Sequence, residues 1–149
     1  MKLAEALLLR ADLQKKQESL RERISKNVLI QEGTEPSENP KNLFIEANRV
    51  SSELELLVVA INKANLNNQL KDGKTLTASI AHRDTLLYRH SLLQKAINSS
   101  QELDRYSARE IKWVSIVSVV ELQKQLDDIS CQIRELNARI QETNWSVEL

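Results

Sequence analysis

Two histidines are the residues of this chain best suited to binding a transition metal, because imidazole nitrogen is the commonest protein ligand for such ions. His82 and His90 are eight positions apart, which on one helix means about 12 Å of rise and about 80° of rotation. Neither follows a glutamate at the three-residue spacing of di-iron bundles. One ion would therefore need ligands from a second subunit, with Asp84 or Glu102 nearby in sequence. The sequence assigns neither the ligands nor the identity of such a metal.

A second polar cluster mixes acids, bases and hydroxyl groups, the residue types that a small active site uses. We interpret it as a structural corner, in which Asp104 or Ser107 caps the backbone and Arg105 pairs with a carboxylate. A catalytic role stays open. The cluster consists of Asp104, Arg105, Tyr106, Ser107, Glu110 and Lys112.

Four asparagines and one cysteine are the other candidate reactive or binding residues. Asparagine favours helix ends, so we interpret the four as a helix terminus or a buried register-fixing amide, although a substrate-binding group of amides is the alternative. Cys131 has no second cysteine for an internal disulfide and is expected to pack as a small apolar residue. The asparagines are Asn62, Asn65, Asn67 and Asn68.

Signature motifs of familiar enzyme classes are absent from the sequence. The chain has two glycines, too few for a dinucleotide-binding turn, and it contains no Gly-rich phosphate loop, Gly-x-Ser-x-Gly elbow or His-Glu-x-x-His pair. We therefore assign no catalytic and no cofactor-binding residue. The sequence favours a protein that is not an enzyme.

Charge and hydropathy indicate which partners to expect. Lys and Arg number 21, as do Asp and Glu, so no net field attracts nucleic acid or an anionic membrane; the basic residues of the first helix leave a local patch as an alternative. The apolar run near the start is interrupted by Glu5 and followed by Asp12, unlike an export signal or a membrane span. We expect a cytoplasmic protein that contacts neither nucleic acid nor membrane.

Most of the chain shows helical periodicity, and the predicted helices would position these candidate residues. Apolar side chains recur at steps of three and four, which predicts amphipathic helices that pack along seams. The first helix is predicted from Met1 to about Gln31, the third from Thr77, its N-cap, to about Asn98, and the last to about Asn144. The predicted core positions are Ala6, Leu13, Leu20 and Ile24; Leu43, Ala47, Val50, Leu54, Leu57, Ile61 and Ala64; Leu86, Leu93 and Ile97, beside Ile80 and Leu87; and Leu122, Leu126, Ile129, Ile133, Leu136 and Ile140.

Three segments interrupt the helices of what we predict to be a single domain, residues 1–149. A loop is expected at 31–41, where Gly33 and both prolines occur, and a turn at 70–77, where Asp72-Gly73 predicts a type I′ hairpin. Residues 111–119 are rich in β-branched side chains and predict a strand that pairs with the hairpin or with a second chain. We therefore expect a mainly α fold: an antiparallel bundle of about four long helices with a small β-hairpin or strand element completed across a dimer.

Several short stretches resemble the septicolysin-like family of uncharacterised bacterial proteins, and the similarity runs the full length of the chain. The resemblance implies a helical cytoplasmic protein that forms strand-exchanged dimers and larger assemblies with a bound transition metal; it carries no established activity. The stretches are Gln31-Glu32-Gly33 with Pro36, Asp72 to Thr77, Arg83-Asp84, Asp104 to Ser107, Glu110 to Lys112, Leu122 to Gln125 and Asn144-Trp145.

Two functional hypotheses follow. The first is a cytoplasmic homo-oligomer with a structural or protein-interaction role, whose partner is a copy of itself. The alternative is a metal-linked oligomer with an enzymatic or metal-storage role, in which His82, His90 and acidic residues meet only between subunits.

Overall fold

Four long helices make up most of the computed structural model, which describes residues 1–101 and 113–149. They are α1 (Leu3–Asn27), α2 (Pro40–Asn67), α3 (Leu76–Gln101) and α4 (Val119–Ser146). The expected mainly α, bundle-type fold is thereby confirmed. The chain divides into two compact units, Met1–Asn68 with Thr143–Leu149, and Gln69–Glu142. That they form one domain stays a prediction.

In the first unit, α1 and α2 form an antiparallel hairpin around the predicted apolar seam. Lys16 pairs with Glu46 at 2.8 Å, and the Arg23 guanidinium, further along α1, donates to Glu38, which precedes α2. The side chains between the helices are excluded from water, as the periodicity predicts. Those that are buried are Ala6, Leu13 and Leu20 of α1 and Leu43, Val50, Leu57, Ile61 and Ala64 of α2.

The connection between α1 and α2 runs from Val28 to Asn39, so the predicted end of α1 near Gln31 and the predicted loop at 31–41 are each displaced. The buried Asn27 side chain donates to the carbonyl of Arg23 at 2.8 Å and accepts from the amide of Glu38 at 2.9 Å. It thereby holds both ends of the loop. Pro40 belongs to the helix, because its fixed φ suits the first helical position and Asn39 supplies the N-cap.

Residues from the two ends of the chain pair beside this hairpin. The Leu3 amide donates to the carbonyl of Val147 and the Leu149 amide to that of Met1, each at 2.9 Å, so that Lys2 and Glu148 form an antiparallel bridge. The Lys2 ammonium lies 2.6 Å from the Glu148 carboxylate. This hydrogen bond is the main cause of the lowered pKa of Glu148.

In the second unit, a tight turn lies within the predicted 70–77, but the strands of the predicted hairpin are reduced to one bridge, Gln69 to Thr75. Within this turn, only Gly73 has positive φ, +80°, whereas a type I′ turn also requires it of Asp72. The connection between Asn67, the end of α2, and Leu76, the start of α3, contains this bridge and no strand. Thr75 accepts from the Ala78 amide at 3.1 Å, so it caps α3 in place of Thr77.

This turn is attached to the last turns of α4. Asp72 pairs with Arg139 at 3.3 Å, and Lys71 pairs with Glu142. The predicted core positions of α4 are buried or half-buried, whereas Leu87, predicted on a stripe of α3, is 47% exposed. Buried side chains in these two helices are Leu76, Ser79, Leu86 and Ile97, then Leu126, Leu136 and Ile140.

The predicted strand at 111–119 is also wrong over the part that the structure describes. Residues 113–118 form neither helix nor strand, Val119 begins α4, and 111–112 lie outside the described residues. The β-branched side chains find no second strand in the described part of the chain. Ser118 instead starts the helix: its carbonyl accepts from the Leu122 amide at 3.0 Å and its hydroxyl from the Glu121 amide at 3.3 Å. Completion across a dimer stays a prediction.

Candidate interaction surface

The candidate metal ligands do not converge within one chain. His82 is exposed and His90 half-buried on α3, and the Asp84 carboxylate already pairs with Arg83 at 2.8 Å. Glu102 lies outside the described residues. Over 1–101 and 113–149, no three His, Cys, Asp or Glu side chains are grouped so that they could hold a metal ion. A metal shared between subunits stays a prediction.

The other polar candidates do not form a site either. The cluster from Asp104 to Lys112 lies outside the described residues. Asn68 donates to the carbonyl of Ala64 at 2.9 Å and caps the end of α2, which fits the helix-terminus interpretation of the asparagines. Cys131 is half-buried, with its sulfur 3.5 Å from the Arg134 guanidinium, so it is less enclosed than predicted.

Exposed apolar side chains form the most prominent feature of the second unit's surface. We call residues 113–120 the apolar segment. Ile116 is 96% exposed and Val120 is 82% exposed, although both would be buried in an ordinary core. Contiguous apolar surface of this kind marks an interaction site. The exposed members are Trp113, Val114, Ile116, Val117 and Val120.

A second apolar surface lies on α2, on the side opposite its buried seam. We call Ile45, Leu56, Val59 and Leu66 the outer stripe; they are 61%, 73%, 46% and 61% exposed. At about 100° of rotation per residue they fall within about 80° of one another. The sequence analysis identified only the buried seam of α2, although the recurrence of these four positions at helical spacing was visible in the sequence.

An open groove of about 320 Å³ lies between α1 and α2. Its polar groups are partly engaged already, since the Gln17 amide donates to the Ser51 hydroxyl at 3.0 Å. The adjacent Glu46 has a lowered pKa because it accepts a hydrogen bond from Lys16. These side chains therefore place no unpaired acid or base in the groove. The groove is lined by Gln17, Arg21, Ile24, Phe44, Ala47 and Ser51.

No helix in the described part of the chain has the length and apolar composition needed to cross a membrane.

Comparison with known proteins supports the fold and assigns no activity. A family model described as a family of unknown function, DUF6847, matches residues 10–149. The crystal structure of a functionally unknown conserved protein from Corynebacterium diphtheriae is 33% identical in sequence, with a TM-score of 0.95 over 100% of this chain and 98% of that chain. No curated protein matches. The four-helix architecture is therefore shared with a relative that this chain matches over nearly its whole length.

Proposed function

This chain belongs to DUF6847, a family of unknown function, and we propose that it is a homo-oligomeric helical protein with a structural or protein-interaction role. The apolar segment is the observation that carries this proposal. Burying one large aliphatic side chain contributes about 1.5–3 kcal/mol. Burial of the five exposed side chains, four aliphatic and one aromatic, would contribute a free energy of the same order as the cost of association, about 4–15 kcal/mol.

The composition of the segment also suggests how the subunits meet. β-Branched residues pack well on a pleated surface, and an unpaired extended segment is a template for another chain. We propose that segments from two subunits pair edge to edge, so that the strand predicted from the sequence forms only on association. Membership of the septicolysin-like family, and its larger assemblies, are part of the same proposal.

The cytoplasm is the compartment that we propose. A lone cysteine and balanced charge support it, because a reducing compartment gives no advantage to disulfides. The predicted lack of contact with nucleic acid or membrane is part of this proposal as well.

Light scattering on tag-free protein tests the proposal. The wild type is expected to be a dimer or larger, and Ile116→Asp should shift it toward smaller species because an unpaired carboxylate would be buried in the contact. Val117→Pro should act in the same direction, since proline removes a strand donor. Leu29→Asp is the matched control: Leu29 is 85% exposed in the other unit. A monomeric wild type would refute the proposal.

The alternative role, a metal-linked oligomer, is tested by the same measurement. Protein purified without a metal-affinity tag is analysed for bound metal and then treated with a chelator. An assembly that the chelator splits would put His82 and His90 first for mutagenesis. An assembly that the chelator leaves intact would favour the structural role.

A further inference from the structure

The outer stripe of α2 offers a second contact that is separate from the apolar segment. The stripe belongs to the unit Met1–Asn68 with Thr143–Leu149, and the segment belongs to Gln69–Glu142. Leu56 and Leu66 are 73% and 61% exposed on a helix that is already buried along its opposite side. A helix with apolar residues on two sides is suited to contact two neighbours.

Charges beside the stripe indicate what the second neighbour is. Glu55 and Lys63 flank Val59, four positions before it and four after it. Neither makes an ion pair with any residue that the structure describes, whereas Arg49 and Glu53, one turn earlier, pair with each other at 3.5 Å. An unpaired acid and an unpaired base at equal distances from an exposed apolar residue make a surface that is complementary to itself.

We propose that α2 packs against α2 of a second copy in the antiparallel direction, with the two-fold axis at Val59. Residues equally distant from Val59 then face each other, so that Glu55 of each copy lies opposite Lys63 of the other. A parallel pair would place Glu55 against Glu55 and Lys63 against Lys63, which like-charge repulsion disfavours. Such isologous contacts are the usual form of a two-fold interface.

This contact goes beyond the proposed function, because it involves a helix surface that the apolar segment does not include. With the axis at Val59, the two copies of α2 overlap over residues 51–67, or about 25 Å of helix, and Ile45 lies beyond the overlap. A contact between two single helices of this length is small compared with stable interfaces. Association through α2 alone is therefore expected to depend on concentration.

Charge exchange tests the pairing, and the Ile116→Asp background separates it from the apolar segment. In sedimentation velocity, Lys63→Glu should weaken the remaining association roughly tenfold, because two attractive pairs become repulsive. Glu55→Lys should do the same, and the double variant should restore the original affinity. Arg49→Glu, away from the axis, is the control. No rescue by the double variant would overturn the pairing.

Cross-linking tests the direction of the helices. In a Cys131→Ser background, Val59→Cys places two thiols at the axis, and oxidation should link the subunits. Ile45→Cys is the matched control, because its two thiols would be about 40 Å apart in the antiparallel pair. Linkage at both positions would indicate a parallel pair, and linkage at neither would exclude the contact; each overturns the inference. An oligomeric wild type with no linkage at Val59 would leave the proposed function standing.

Discussion

Adjacent leucines on opposite sides of α2 give the sharpest test of the fold. Leu57 lies in the buried seam, 8% exposed, whereas Leu56 is 73% exposed. Replacement by alanine changes the intrinsic helix propensity equally at both positions, so that contribution cancels. Leu57→Ala also removes a buried side chain and leaves a cavity, which costs about 2–4 kcal/mol. Leu56→Ala should change the free energy of unfolding by less than about 0.5 kcal/mol.

Urea unfolding followed by far-UV circular dichroism measures the difference. With an m-value of about 2 kcal/mol/M, the midpoint of Leu57→Ala should fall by about 1–2 M. The measurement should be made at low protein concentration, where association through the outer stripe contributes little to the unfolding midpoint. Equal shifts for the two variants under those conditions would refute the assignment of the seam. At high concentration, only Leu56→Ala should weaken self-association.

Two further predictions concern a carboxylate and a turn. The hydrogen bond from Arg23 lowers the pKa of Glu38 below its ordinary 4.5. The ion pair therefore stabilises the folded state fully above pH 4.5, and this stabilisation is lost as the pH falls through the lower pKa of the folded state. The midpoint advantage of wild type over Glu38→Gln should therefore shrink between pH 7 and pH 3, and a constant difference would contradict the pairing. Gly73→Ala should lower the free energy of unfolding by about 1 kcal/mol. Backbone strain is the cause, since Gly73 has φ +80° and no atom lies within 4 Å of an added Cβ. Gly73→Asn should cost less, and equal losses would argue against strain.

The sequence predicted the position of a helix wherever apolar residues recur without interruption at steps of three and four. The seam of α2 was predicted residue by residue, because steps of three and four leave one helical face apolar. The end of α1 was misplaced because no Gly or Pro marks it: the first glycine, Gly33, lies six positions after Asn27. What ends the helix there is the side chain of Asn27, which bonds across to Glu38. A contact between residues eleven positions apart is not visible in local periodicity.

The sequence indicated the apolar segment but not the outer stripe of α2. The β-branched composition of 111–119 marked this segment, but composition cannot show that Ser118 caps a helix that begins at Val119. The outer stripe was missed because Ser52 and Lys63 interrupt it. The interpretation of the stripe as a contact surface depends on the observation that Glu55 and Lys63 form no ion pair with any described residue. Only the three-dimensional structure shows this.

The pairing of Lys2 with Glu148 also bears on the order in which the chain folds. The side-chain pairs between α1 and α2, Lys16 with Glu46 and Gln17 with Ser51, join residues 30 and 34 positions apart, whereas Met1 and Glu148 are separated by 147. The entropy lost on closing a loop increases with its length, so the hairpin is expected to form first and the bridge last. Because the first unit also includes Thr143–Leu149, it cannot be completed before these residues have been synthesised, long after the α1–α2 hairpin.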